Sequence, residues 1–258
     1  MDQRIIKTNA KEIFTKTNLP GADYVINQYV GCGHSCSYCY ARFMARWKGY
    51  GNWGTWVEAK MNAPELVKNR RVNGRVFMSS VSDAYQPVEK ALELTREILK
   101  NLDKGINLSI LTKSDLVLRD IDLLKQFKNV EVGFTINSFE GEEKKLFEPG
   151  SPTNNKRVDA MKILKANGIK VFAFVSPIIP GLIDIEEIIR QTNKIADYYW
   201  FEMINLRGAG KEFSEILRQK YPESYEIVHD KQLFADYVDE LRKTIKNSGV
   251  KTKGIEMH

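Results

Sequence analysis

Long apolar runs are missing from this 258-residue chain. The longest, Val171 to Ile179 with Ser176 inside it, falls far short of the roughly 20 residues needed to cross a bilayer, so no membrane span or membrane partner is expected. The opening stretch MDQRIIKTNAKEIFTK is charged throughout and lacks an apolar segment followed by small residues. It therefore does not read as a secretory signal, and a cytoplasmic location is the expectation. Internal repeats, low-complexity tracts and linker-like stretches are also missing, which favours one domain over residues 1–258. Its core is expected at about 24–205, with a C-terminal helical extension at about 206–258. Hydrophobic residues at 43% and charged residues at 28% leave disordered, collagen-like and coiled-coil readings without support.

Charge of one sign does not dominate: 39 Lys and Arg against 33 Asp and Glu give +6. That excess permits an anionic partner without requiring one. Basic residues gather at Lys68, Arg70, Arg71 and Arg75 and again at Lys243, Lys246, Lys251 and Lys253, where a phosphate backbone could be met. Solvated helix faces are the favoured account of such runs, since charge runs usually serve solubility.

Cysteine is scarce, and its placement carries information. All three fall in one window, GCGHSCSYCYAR, as Cys32, Cys36 and Cys39. Pairing two would strand the third, so a disulfide framework is a poor reading and metal binding a natural one. Gly31 and Gly33 let the backbone curl tightly enough to turn three thiolates toward one centre. Two metals are open. Zinc could take the three cysteines with His34 as a fourth ligand, but one short loop would have to wrap all four groups. An iron–sulfur cluster would take the three thiolates and leave one iron with an open position.

The remaining chain alternates strand-like and helix-like segments, as a parallel α/β fold does. Strands are expected at Tyr24–Val30, Arg75–Ser79, Ile106–Leu111, Val130–Ile136, Val171–Val175 and Tyr198–Phe201. Helices are expected at Val88–Asn101, Ile121–Phe127, Lys156–Ala166, Ile185–Ile195, Lys211–Lys220 and Lys231–Asn247. In the helix at 156–166, Val158, Met161, Ile163 and Leu164 are expected near one face, with Asn167-Gly168 as its cap. Barrel-like βα folds place their working residues after the strands. The cysteine loop follows the first expected strand, Ser80, Ser82 and Asp83 the second, and Thr112, Lys113 and Ser114 the third. Asn137 and Ser138 follow the fourth, Ser176 the fifth, and Glu202 and Asn205 the sixth.

Cys-x3-Cys-x2-Cys with Tyr38 just before the last cysteine resembles the cluster loop of radical S-adenosylmethionine (radical SAM) enzymes. The segments SSVSDAYQP, LTKSDLVLRD, FTIN, FEPGSPTNNKR and VSPIIPG are similar to successive motifs of the spore photoproduct lyase-like, DNA repair photolyase-related branch, over about Tyr24 to Gly181. The resemblance implies a partial (β/α)6 TIM-type barrel and a 4Fe-4S cluster on Cys32, Cys36 and Cys39. It further implies S-adenosylmethionine (SAM) on the open iron, a reductant such as ferredoxin or flavodoxin, and a 5′-deoxyadenosyl radical that takes hydrogen from an unidentified substrate, for which nucleic acid is the candidate class in this branch. Lys113 would meet the SAM carboxylate; Ser82 and Asn137 would meet its methionine or ribose portion; Tyr38 would shield the cluster. Ser80, Asp83 and Ser176 join these as candidate cofactor-binding residues, and Glu148 with Arg157 forms an expected loop-bracing pair.

The chain departs from that branch in one respect. The hydrogen-returning cysteine of spore photoproduct lyases falls on Ser80, whose O–H bond is too strong for the task. Repair of that lesion is therefore not expected, and Tyr40 and Tyr85 are the nearest redox-capable candidates. The glycine-rich stretch with Trp47, Tyr50, Trp53 and Trp56 could stack bases, close over the mouth or simply pack. A binding module with a structural zinc loop is the competing class, separable by metal analysis.

Overall fold

Residues 3–258 are described by the structure, a computed structural model. Its strands are β1 (Arg4–Thr8), β2 (Phe14–Lys16), β3 (Tyr24–Ile26), β4 (Tyr29–Val30), β5 (Trp56–Lys60) and β6 (Arg75–Met78). Further along the chain come β7 (Asn107–Thr112), β8 (Asn129–Ile136), β9 (Lys170–Ile178), β10 (Tyr198–Met203) and β11 (Thr252–Glu256). The main sheet runs β11-β10-β9-β8-β7-β6-β3-β2. All its neighbours are parallel except β2, which lies antiparallel along β3. Among the described residues β2 and β11 are its unpaired edges, so the sheet is open and no closed barrel forms. A second sheet, β1-β5-β4, sits beside it.

Central strands are apolar because both of their faces are covered. Val76, Met78, Ile110, Val132, Phe134, Val171, Ala173, Val175 and Phe201 are all essentially inaccessible. The crossover helices follow the expected places with three informative differences. The segment expected as one helix at Val88–Asn101 is two, Glu89–Leu92 and Leu94–Asn101, broken at left-handed Glu93. The buried Glu89 carboxylate accepts the Thr95 N–H at 2.9 Å and so satisfies a free donor in the first turn of the second helix. In the helix Asn154–Ala166, Val158, Met161 and Leu164 are buried, whereas Ile163 is 43% exposed. Five residues beyond Val158, Ile163 is rotated by about 140° from it and cannot share its face.

The third difference bears on the site. The strand expected at Tyr24–Val30 is split: β3 belongs to the main sheet and β4 to the small one. The chain peels away at Asn27 and Gln28, whose side chains bond the Ser80 amide at 2.8 Å and the Thr95 hydroxyl at 2.8 Å. The cysteine loop therefore leaves from β4 and is carried across the end of the main sheet. The segment from 206 onward is not helical throughout. After helices Leu206–Ala209, Lys211–Lys220, Pro222–His229 and Lys231–Ser248, β11 rejoins the main sheet. Among the described residues no helix is long and apolar enough to cross a membrane.

Candidate metal and cofactor site

Gly31 opens the cysteine loop at φ +84°, and a Cβ there would stand 2.6 Å from the Trp56 carbonyl oxygen, so both backbone and space demand glycine. Cys32 and Cys36 are buried, Cys39 is partly buried, and all three are free thiols. Tight turns link them: Ser35 N–H donates to the Cys32 carbonyl and Cys39 N–H to the Cys36 carbonyl, each at 3.3 Å.

Two segments from the main sheet clamp this loop. After β6, Gln86 donates to the Gly31 carbonyl at 3.1 Å and accepts the Gly33 N–H at 2.8 Å, bracketing Cys32. Ser82 also donates to the Gly31 carbonyl, at 2.7 Å. After β8, Phe147 to Ser151 lies along the other side: Gly150 N–H donates to the His34 carbonyl and Ser37 N–H to the Phe147 carbonyl, both at 3.0 Å. Gly150 comes so near that a Cβ would be 2.2 Å from the Gly33 carbonyl oxygen. Both segments stand among the sequence motifs, yet nothing there marks Gln86 or Gly150, because their partners are backbone atoms more than fifty residues away.

Buried charges surround the loop. Glu148 is fully buried and receives the Tyr38 hydroxyl, Asn137 Nδ2 at 2.9 Å, the Ser151 hydroxyl at 2.9 Å and the Arg157 guanidinium. Burial opposes its charge, but Arg157 and Lys113 outweigh burial and hold the carboxyl well below the usual range. On the Cys32 side, Asp83 accepts from Thr112 at 2.6 Å and from the Lys113 and Tyr85 amides at 2.8 Å, with His34 Nε2 at 3.3 Å. Here too burial is outweighed, by His34 and these hydrogen bonds, and the carboxyl falls to about 2. Burial pushes the Cys36 thiol up to about 12, with Lys113 pulling the other way and Glu148 adding to the rise. Such a thiol is protonated near neutral pH, and a bound metal is the group that would hold it ionised.

This donor set suits a cluster better than single-ion zinc. His34 turns Nδ1 to the Gly150 carbonyl at 3.1 Å and Nε2 to Asp83, so its ring braces the loop. Among the described residues no three His, Cys, Asp or Glu side chains converge as a single ion requires. A cubane binds each thiolate to a different iron and needs no such convergence.

The other expected residues are variously free and engaged. Lys113 Nζ is 5.7 Å from the Tyr38 ring centroid and 4.0 Å from Glu148, too far for a hydrogen bond, which leaves its donors open. Asn137 is engaged with Glu148 and with Asn154 Nδ2 at 3.0 Å. Ser176 lies inside β9 rather than after it and donates to Glu202 at 2.5 Å. Ser80 bonds Asn27 Nδ2 at 3.0 Å, and its carbonyl accepts from Tyr40. Tyr40 is 41% exposed and so is not a packed core tyrosine. Tyr85 is inaccessible and its hydroxyl has no hydrogen-bond partner. Tyr38 packs between Phe139 and Phe213 at centroid distances of 6.2 and 6.3 Å.

The tryptophans do not act as one group: Trp56 is wholly buried, whereas Trp47 is 78% exposed and meets Phe43 edge-on at 5.0 Å. Of the basic residues, Arg75 opens β6 and pairs with Glu131, while Lys251 and Lys253 flank the start of β11. In a parallel sheet these are the amino ends, opposite the cysteine loop.

An open parallel sheet with, at the carboxyl ends of its strands, three thiols and a lysine that makes no hydrogen bond is a βα fold carrying a candidate metal- or cofactor-binding loop. The pattern of the radical SAM superfamily matches residues 26–192. The chain belongs to that superfamily, which implies SAM and an iron–sulfur cluster. It is 57% identical over 254 residues to an uncharacterized protein of Methanocaldococcus jannaschii, covering 98% of each. It is 23% identical over 162 residues to the radical SAM Nalpha-GlyT isomerase of Pseudomonas phage M6, covering 61% of this chain and 33% of that one. The fold is like that of spore photoproduct lyase. Its complex with a dinucleoside spore photoproduct superposes with a TM-score of 0.69 at 18% identity, covering 98% of this chain and 82% of that one. A mutant of that lyase with bound AdoMet and the dinucleoside gives 0.61 at 21% identity, over 84% and 66%.

Proposed function

We propose that the protein holds a 4Fe-4S cluster on Cys32, Cys36 and Cys39, binds SAM beside it, and acts as a radical enzyme on a nucleic-acid substrate. The observation that carries this reading is the buried, three-thiol loop clamped over the carboxyl ends of the parallel strands. When bound, the cluster would supply one-electron cleavage of the sulfonium and so a carbon radical able to take hydrogen from the substrate.

The chain's own residues position and shield. Lys113 offers open donors to the SAM carboxylate, and Tyr38 with Phe139 and Phe213 excludes water from one side. Ser82 and Asp83 serve the cofactors through the loop they brace, and Asn137 through Glu148; Ser80 and Ser176 complete the proposed cofactor-binding set. Tyr40, half-exposed and bonded to the Ser80 carbonyl, is the first redox-active candidate and buried Tyr85, whose hydroxyl is unpartnered, the second. With no cysteine outside the loop, thiol-mediated hydrogen return, and with it spore photoproduct repair, is not part of the proposal.

Nucleic acid as substrate is supported by exposed Phe43 and Trp47 with exposed Arg46 on the helix after the loop, a surface suited to stacking on an unpaired base. The dinucleoside held in the lyase complex, whose fold this chain shares, points the same way. The electron would come from a small reductant such as ferredoxin or flavodoxin, in the cytoplasm.

Anaerobic reconstitution is the test. About four iron and four sulfide per chain, and 5′-deoxyadenosine formed from SAM after reduction, are expected. One tightly held zinc with no iron uptake would overturn the reading in favour of a structural zinc loop.

A further inference from the structure

The proposed cluster site contains a buried carboxylate that binds neither thiol nor cofactor. Glu148 lies at the end of the helix Gly141–Phe147, whereas its most distant partner in sequence, Tyr38, sits between Cys36 and Cys39. Every acceptor position on Glu148 is defined: Tyr38 and Asn137 on Oε1, Ser151 and Arg157 on Oε2. Arg157 is itself immobilised, with Nη1 on the Thr135 carbonyl at 3.0 Å and Nε on the Pro152 carbonyl at 3.1 Å. The carboxylate is thus anchored to the β8 end and to the helix Asn154–Ala166, and its one bond to the cysteine loop runs through the Tyr38 hydroxyl.

Resting on the cluster reading above, we propose that Glu148 is a positioning residue: through Tyr38 it fixes the turn carrying Cys36 and Cys39, and its charge makes the cluster harder to reduce. Loop bracing alone would not need a charged group at this point, since the backbone bonds from Ser37 and Gly150 already tie the two segments. A desolvated negative charge, by contrast, acts on any electron added nearby, because a low-dielectric interior screens it weakly. Glu148 is the carboxylate of a buried charged group beside Cys36 whose other members, Lys113 and Arg157, are positive.

The test compares wild type, Tyr38→Phe and Glu148→Gln after anaerobic reconstitution. Iron content, iron release to a chelator and the midpoint potential are measured, with circular dichroism reporting folding. Tyr38→Phe keeps the Glu148–Arg157 pair and should fold, load iron and release it several-fold faster than wild type. Glu148→Gln should move the midpoint to a more positive potential, a shift that a purely structural role would not give. Should Glu148→Gln fail to fold, Tyr38→Phe still decides on iron release. Wild-type iron retention and an unchanged midpoint in the variants would overturn this inference alone. Failure of wild type to take up iron would overturn the cluster reading and this inference with it.

Discussion

Lys113 is the residue whose surroundings are least closed. Its ammonium lies near Glu148 and the Tyr38 ring but makes no hydrogen bond within the protein. A carboxylate ligand would complete it. Lys113→Met should fold, since Arg157 still pairs Glu148, and should weaken SAM binding roughly ten- to a hundred-fold, from about 1.5–3 kcal/mol for a charged hydrogen bond. Equilibrium dialysis with labelled SAM measures this; unchanged affinity would remove Lys113 from the cofactor site. Legibility at this scale was uneven. Spacing alone singles out the cysteines as candidates, and the LTKS segment singles out Lys113. That Asp83 and Asn137 would be engaged with the protein itself was not visible, because their partners lie in other elements, Thr112 on β7 for Asp83 and Glu148 and Asn154 at the ends of the helices after β8 for Asn137.

At the scale of elements, the loops at the carboxyl ends of the strands build the site. The segment after β8 has one shape because Gly150 lets its backbone lie against Gly33 and His34. Gly150→Ala would place a carbon 2.2 Å from a carbonyl oxygen with backbone on both sides, so the loop and its clamp must part. The expected outcome is a destabilisation of about 1–3 kcal/mol in urea unfolding, as for other overpacked sites, together with lower iron loading. Wild-type stability and loading would mean that the two segments are not held in this register. Helix positions were mostly readable from periodicity. The break at Glu93 was not, because it depends on a carboxylate reaching forward to cap the next helix.

At the scale of the whole molecule, Asp83 joins the ends of β6 and β7 to the cysteine loop through Thr112, Lys113 and His34. Its carboxyl is lowered to about 2, so its charge favours the folded state above the ordinary carboxylate range and that contribution is lost as pH falls toward 2. Removing it corresponds to roughly 2 kcal/mol. The metal-free protein should therefore lose stability between about pH 5 and pH 2, and Asp83→Asn should be less stable near neutrality with a flatter acid limb. Parallel acid limbs for the two proteins in urea titrations would contradict this.

The two ends of the molecule differ in use: the cysteine loop, Lys113 and exposed Trp47 gather at the carboxyl ends, while Arg75, Lys251 and Lys253 lie at the amino ends. The sequence by itself determined the parallel α/β class and the spacing that makes the three cysteines candidate ligands, since apolar periodicity and residue spacing are local properties of the chain. Only the tertiary structure decided that β3 and β4 part company, that Gln86 and Gly150 clamp the loop, and that Tyr38 is held by Glu148. Each of those depends on groups brought together across the ends of different strands, where burial makes every polar group require a partner that no local pattern can name.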